Sequence, residues 1–303
     1  MALSSGTHWA GPLLGSDKTG GGIFDDVPFK EWSELRSRWK LRLEDFDEDM
    51  ASIAVANQIG WTETAVGVAA GRTMVVDKEN GFLNVDADTV ANEGTNAQLL
   101  GTPSQVTYTN TNHKSIGPIT STTTLMANRS LLFECRINFL QAVGTAWTNK
   151  LVIGWMTTDT ALMGAVGGSL IGTIATGGGL FFHIMPAGVV SFGTQKAAFG
   201  TLAEVNTSVS VGTLSTTYLP ANWLTLGFKA VWGPDPTATN NGYTDFYINN
   251  IFRGRVAGQN PMTSTQTYAV TYELINGAAA APQVDMAIDY ILTGITRPGY
   301  VGA

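Results

Sequence analysis

The stretch from Leu224 to Trp232, LTLGFKAVW, alternates between apolar side chains and small or polar ones. Leu224, Leu226, Phe228, Ala230 and Trp232 share one side of an extended chain, and Thr225 and Lys229 lie opposite. A period of two predicts a β-strand with one buried face. Residues 284–292, VDMAIDYIL, show the same pattern: Val284, Met286, Ile288, Tyr290 and Leu292 share one face, and Asp285 and Asp289 lie opposite.

Further segments of this kind occupy the chain after residue 130. Each is rich in β-branched or aromatic residues and is bounded by Gly, Thr, Asn or Pro, as strands are. The predicted strands are Leu131–Phe139, Leu151–Met156, Leu180–Met185, Leu224–Trp232, Phe246–Ile251, Tyr268–Ile275 and Val284–Leu292. Asn249 and Asn250 adopt positive φ at low cost and predict a tight hairpin turn. Because each apolar strand face needs a second sheet to cover it, we expect an all-β, two-sheet jelly-roll sandwich.

Composition divides the chain into three predicted parts. Residues 1–23 are rich in glycine and small residues, which predicts an extended N-terminal arm. Residues 24–50 hold about a third of the charged side chains and predict a short helix, Phe29 to Arg38, that runs into a strand. Residues 51–303 form the predicted sandwich domain, in which the Gly- and Thr-rich residues 157–179 are a candidate functional loop.

Charge and composition exclude several classes of function. Only 14% of residues are charged, against about 25% in an average soluble domain, so the predicted surface is mainly Thr, Ser, Asn, Gln and Gly. A net charge of −7 argues against a nucleic-acid partner, because Lys and Arg drive that binding. We expect no membrane span and no signal peptide, since the sequence lacks the apolar runs that both require. The single cysteine, Cys135, is predicted to be a buried, inert thiol.

No motif identifies a reaction, and we expect a protein that is not an enzyme and uses no cofactor or metal. His8, His113 and His183 are far apart and lack metal-ligand spacing, and His183 is expected to be exposed or hydrogen-bonded. Hydrolysis of a glycosidic bond needs two carboxyls about 5–10 Å apart. Asp285 and Asp289, four positions apart on one strand, would be about 13 Å apart.

The other acidic groups are interpreted as structural. Asp45, Asp47 and Asp49 could share a strand face, but they lie in a run of carboxylates that is typical of a solvated turn. The tryptophans in or beside strands, Trp39, Trp155, Trp223 and Trp232, are predicted to pack in the core.

The order of FECRINF, KLVIGWM, GGLFFHI, NWLTLGFKAVW, TDFYINN and MAIDYILTG resembles the concanavalin A-like lectin and glucanase sandwich. The resemblance covers about residues 39–296. It implies that fold and leaves a lectin or a glucanase as alternatives. Glucanase members carry Glu-x-Asp-x-Glu on a strand, and no segment here does so. Asp86 and Asp88 correspond only weakly to the paired Asp and Asn calcium ligands of the legume-type lectins.

A second resemblance lies in the N-terminal residues. GTHWAGPLLG, a Trp-rich opening, GWTET and NVDAD are similar to virion proteins of tailed bacteriophages, particularly those encoded near the major capsid protein. This resemblance implies a capsid decoration or cement protein that is made in the host cytoplasm and binds the major capsid protein on the virion surface. Trp9, Pro12, Leu13 and Leu14 are the candidate anchors, either on the shell or on the chain's own body.

Two other functions stay open at this point. A carbohydrate-binding module would stack exposed aromatic residues on a glycan, and a glycoside hydrolase would use acids such as Asp45 and Asp47. A homo-oligomer, for example a trimer, is also expected of a protein that coats a shell.

Overall fold

β-strands make up nearly all the regular structure that the computed structural model describes. The described residues are 39–44, 61–66, 74–77, 82–86, 94–99, 119–120, 128–141, 147–157, 179–195, 203–212, 214, 217, 220–234, 242–258, 260, 267–276 and 284–296. The predicted arm, the predicted helix and residues 158–178 of the candidate loop lie outside them. Among the described residues, no helix is long and apolar enough to cross a membrane.

The strands follow one another along the chain with few other elements. In chain order they are β1 Trp39–Glu44, β2 Trp61–Val66, β3 Met74–Asp77, β4 Phe82–Asp86, β5 Gly94–Leu99, β6 Ile119–Thr120, β7 Ser130–Leu140, β8 Lys150–Thr157, β9 Gly179–Ile184, β10 Val189–Gln195, β11 Ala203–Ser210, β12 Leu224–Val231, β13 Tyr243–Ile248, β14 Ile251–Ala257, β15 Thr267–Ile275 and β16 Asp285–Thr296. A 3-10 turn, Pro220–Asn222, precedes β12.

The strands form two antiparallel sheets of eight strands each, which confirms the predicted jelly-roll sandwich. Sheet A runs in the order β14-β13-β12-β7-β16-β4-β3, with β1 also paired to β16. Sheet B runs in the order β11-β10-β9-β8-β15-β5-β2, with β6 also paired to β15. β14 and β3 are the end strands of sheet A, and β11 and β2 are the end strands of sheet B.

Aromatic rings from both sheets meet at the centre of the sandwich. Phe192 of β10 stacks on Phe246 of β13, with ring centroids 4.7 Å apart, and its ring lies 5.6 Å from Phe228 of β12. Phe182 of β9 and Phe133 of β7 extend the same cluster at 5.1 and 5.2 Å. These rings are fully buried, as the alternation of LTLGFKAVW predicts. Cys135 lies in this core, which confirms the buried thiol.

The tryptophan prediction is confirmed for most of these residues. Trp155 and Trp232 are buried in the core cluster, and Trp39 is buried in β1. Trp223 is wrongly predicted, because it is only half-buried and contacts Phe82 and Arg136 instead of the core.

The predicted alternation of β16 is correct up to Ile288 and wrong beyond it. A register shift between Ile288 and Tyr290 inserts Asp289 as an extra residue. A β-bulge of this kind exchanges the two faces of the strand that follows. Ile291 and Ile295 therefore pack in the core, and Tyr290 and Leu292 point to the opposite face.

Other strand predictions are correct in place but incomplete. The hairpin at Asn249 and Asn250 is confirmed, with φ values of 51° and 62°. The strand before it begins three residues earlier than expected and ends at Ile248. The sequence interpretation missed β6, β10 and β11, and it implied β14 only through the hairpin turn. β10 is buried on both faces and β11 is mainly polar, so neither shows a clear alternation.

The central rings provide the first test. Replacing Phe192 with Ala removes the ring that bridges the sheets, and we expect unfolding free energy to fall by about 3–5 kcal/mol. Phe252→Ala is the matched control, since Phe252 is 53% exposed and its truncation should change stability by less than about 0.5 kcal/mol. Urea unfolding followed by circular dichroism measures both variants. Equal stabilities would contradict the assignment of Phe192 to the inter-sheet core.

Candidate functional site

Ionisable and aromatic side chains lie together on the face of sheet A that points away from the core, called here the outer face of sheet A. Core residues of β7 have odd numbers, from Leu131 to Phe139, so Glu134 and Arg136 point outward. Strand pairing extends one outward row from Glu134 through Gly227 and Tyr247 to Phe252. The outer face of sheet A thus carries acids, cations and aromatic rings on neighbouring strands.

A buried polar cluster occupies the centre of this face. The Tyr290 hydroxyl donates a hydrogen bond of 2.7 Å to the Glu134 carboxyl. Arg136 donates to Asp289 at 2.7 Å, and its guanidinium lies 4.8 Å from the ring centroid of Trp223. The bulge in β16 makes this arrangement possible, because it turns Tyr290 outward beside Asp289.

Burial changes the ionisation of the cluster. Loss of hydration raises the pKa of Glu134 to about 8, and the hydrogen bond from Tyr290 opposes this only in part. Burial and the nearby Glu134 also raise the pKa values of Cys135 and Tyr290. At neutral pH Glu134 is therefore a neutral acid, and it lies near a second carboxyl, Asp289.

A neutral acid near a second carboxyl is one component of glycosidase chemistry. Here, however, Glu134 is only 1% exposed and Asp289 only 7%, so a polysaccharide cannot reach either carboxyl in this conformation. Both also have fixed partners, Tyr290 and Arg136. The cluster holds β7 and β16 together, and its geometry favours a structural role.

The β13–β14 hairpin forms the other end of the outer face. Arg255 donates two hydrogen bonds to Asp245, at 2.6 and 2.8 Å, and its guanidinium lies 3.9 Å from the ring centroid of Tyr243. Tyr247 and Phe252 make an edge-on ring contact at 5.8 Å. The aromatic residues of this hairpin are thus held in fixed positions beside charged groups. Such a surface can bind a partner through stacking, apolar contact and ion pairing.

The outer face of sheet B is closed to solvent around His183. Phe181, His183 and Glu273 point away from the core, and each is at most 1% exposed. Neither ring nitrogen of His183 makes a hydrogen bond, although its Nε2 lies 3.4 Å from Glu204. Burial lowers the pKa of His183 to about 4, so the imidazole is neutral near pH 7. The expectation that His183 is exposed or hydrogen-bonded is therefore wrong.

Most of the candidate residues chosen from sequence cannot be compared with this surface. The anchors Trp9, Pro12, Leu13 and Leu14 lie outside the described residues, as do Asp45, Asp47, Asp49, Asp88, His8 and His113. Within the described strands and turns, no group of three or more His, Cys, Asp or Glu residues could hold a metal ion.

The sequence interpretation identified neither the contacts of the buried polar cluster nor those of the β13–β14 hairpin. Glu134 and Tyr290 are 156 positions apart, and only the pairing of β7 with β16 brings them together. Asp245 and Arg255 carried a usable signal, because opposite charges on either side of an Asn-Asn turn fit a cross-strand pair.

Comparison with known proteins agrees with the architecture. No protein-family model and no curated protein matches the chain. The endo-1,3-beta-glucanase from Streptomyces sioyaensis matches 86% of this chain and 98% of its own, with a TM-score of 0.50 and 14% identity. The Bacillus licheniformis beta-glucanase gives 0.46 at 13% identity, over 84% of this chain and 97% of its own. The carbohydrate recognition domain of Emp46p gives 0.46 at 10% identity, over 82% and 94%.

Identities this low establish the fold alone. The chain has the concanavalin A-like jelly-roll fold that its strand order resembles. The second resemblance, to phage virion proteins, stays a prediction.

Glu134 predicts a pH-dependent stability. Its acid is protonated in the folded protein up to about pH 8 but ionised in the unfolded chain above about pH 4.5. The folded state binds the extra proton, so stability falls as pH rises through this window. Because one pKa unit corresponds to about 1.4 kcal/mol, the wild type should lose about 2 kcal/mol between pH 6.5 and pH 8, and Glu134→Gln should not. Urea unfolding at both pH values measures this, and parallel curves would contradict it.

His183 predicts the opposite slope at lower pH. The unfolded chain binds the imidazole proton below about pH 6.5, and the folded chain binds it only below about pH 4. Stability should therefore fall as pH drops through that window. Glu134 masks the effect, so the comparison is between Glu134→Gln and Glu134→Gln with His183→Gln. The single variant should lose about 3 kcal/mol from pH 6.5 to pH 4, and the double variant should lose less.

Proposed function

We propose that this chain is a structural, non-enzymatic protein of a tailed-bacteriophage virion, which decorates the capsid by binding the major capsid protein. It is made in the host cytoplasm and ends on the outer surface of the shell. The proposal combines the resemblance of the N-terminal sequence with the chemistry of the sandwich surface.

One observation supports a binding role over a reactive one. Three acids of the outer face of sheet A are engaged within the protein: Glu134 with Tyr290, Asp289 with Arg136, and Asp245 with Arg255. The exposed large apolar side chains among the described residues, Ile251 and Phe252, are instead consecutive residues of the end strand β14, and Phe252 lies on the outer face of sheet A. This surface is suited to attachment.

The weak charge of the sequence fits the same function. Only 14% of residues are charged, so a neighbouring subunit can approach at little cost in hydration. On a shell the same contact recurs at every position, and linked contacts of modest strength hold a coat firmly. We propose that Trp9, Pro12, Leu13 and Leu14 supply a second contact with the shell, and that the protein forms a homo-oligomer such as a trimer.

A glycan-binding module is the second candidate, and a specific observation favours it. Trp223, Tyr243 and Phe252 lie at least partly exposed, and Asp245 and Lys229 lie on adjacent strands of the outer face of sheet A. Aromatic rings beside hydrogen-bonding groups are suited to stacking on sugar rings. A glycan would have to bind the exposed part of the outer face of sheet A, toward β14, since the polar cluster at the centre of that face is buried.

Co-sedimentation tests the proposed function. Purified full-length protein should pellet with empty capsids of the phage that encodes it and should saturate at a fixed ratio to the capsid protein. Deleting residues 1–22 should lower the occupancy, because it removes the four proposed anchors. Full occupancy of the truncated protein would contradict arm docking, and no pelleting of the intact protein would contradict capsid decoration. Binding on a glycan array without capsid binding would favour the second candidate.

A further inference from the structure

The free edge of β14 is the most exposed part of the described sandwich. β14 ends sheet A, and no described strand pairs with its other side. Ile251 and Phe252 are 51% and 53% exposed at the start of this strand. An end strand presents unpaired backbone donors and acceptors, which makes it a template for another strand.

Hydrogen bonds hold the turn of the hairpin, and β14 itself has a bulge at Arg253, where its pairing with β13 shifts register. The turn at Asn249 is held by its side chain, which accepts a hydrogen bond from the Thr225 backbone at 2.9 Å, and by its own backbone N–H, which donates to the Thr225 carbonyl at 2.7 Å. Tyr247 supports the ring of Phe252 from the neighbouring strand. A partner strand would therefore meet an edge that is already ordered, which lowers the entropy cost of binding.

The charges on β14 select the kind of strand that can bind. Arg253 and Arg255 are both exposed, in a protein whose net charge is −7. Asp245 balances Arg255, whereas Arg253 has no ion pair among the described residues. On the outer face of sheet A the edge therefore offers the exposed ring of Phe252 next to an uncompensated cation, Arg253.

The same charges disfavour one pairing with a second copy of this chain. In the antiparallel register centred on Gly254, two β14 strands would place Arg253 opposite Arg255 of the other copy, and like charges in that position are destabilising. A strand with carboxylates would instead form ion pairs and gain the backbone hydrogen bonds of strand addition.

We propose that an extended segment of the major capsid protein, carrying carboxylates and at least one apolar side chain, adds to β14 as the next strand of sheet A. The identity of this partner rests on the proposed function. The apolar side chain packs on Phe252, and a carboxylate pairs with Arg253. This contact is separate from the one proposed for the N-terminal arm.

The test uses the full-length protein and empty capsids. The variant combines Phe252→Ser with Arg253→Glu, which removes the apolar contact and reverses the free charge on an exposed strand. Ala221→Glu is the matched control, because it adds a negative charge at an exposed position outside β14. Urea unfolding should show that both variants keep the wild-type stability. Co-sedimentation should then show at least about a tenfold loss of affinity for the double variant and none for the control.

Hydrogen exchange distinguishes strand addition from side-chain contact. On capsids, the amides of residues 251–257 that face away from β13 should become protected, and raising the salt concentration should weaken binding.

Unchanged exchange on the capsid, or equal affinity of the double variant, would overturn the β14 contact and leave capsid decoration standing. If the wild type binds no capsids, both proposals fail. A wild-type dimer in sedimentation velocity that the double variant abolishes would also overturn this inference, since the edge would then hold a second copy.

Discussion

The sandwich depends on the contact between aromatic rings that the two sheets contribute to one core. Phe192 of sheet B lies between Phe228 and Phe246 of sheet A, so neither sheet buries its own rings without the other. An antiparallel sheet with one apolar face needs such a cover, and here the cover is a second sheet of equal strand number. The positions of the surface residues follow from this contact, because alternation fixes which side chains point outward.

The strand alternation predicted much of this architecture. LTLGFKAVW assigns Leu226, Phe228 and Ala230 to the core, and the structure agrees. The same reasoning failed at Asp289, where a bulge adds one residue and reverses the faces. Nothing in VDMAIDYIL marks the bulge, since the local sequence continues to alternate. The buried Glu134 was equally hidden, because its partner Tyr290 comes from a strand at the far end of the chain.

The two sheets differ in what their outer faces offer. The described outer face of sheet B is closed around Phe181 and His183. Sheet A is buried at its centre, where Glu134 and Tyr290 meet, and becomes exposed toward β14. A fold that also occurs in glucanases here has Glu134, Asp289 and Asp245 engaged with internal partners, and its exposed large apolar side chains among the described residues lie on β14. This division is the basis of the attachment role proposed above.

The place of β16 in sheet A has a consequence for how the chain acquires its structure. β16 lies between β7 and β4, and it also pairs with β1, so three strands from the first half of the sequence meet on this last strand. β16 is far along the chain from its partner strands, so this pairing forms slowly. Until it forms, the earlier strands have unpaired edges. During synthesis, sheet A stays in three parts, β14-β13-β12-β7, β4-β3 and β1, until residues 285–296 have left the ribosome. The protein is therefore expected to fold after translation and to be most prone to aggregation just before its last strand arrives.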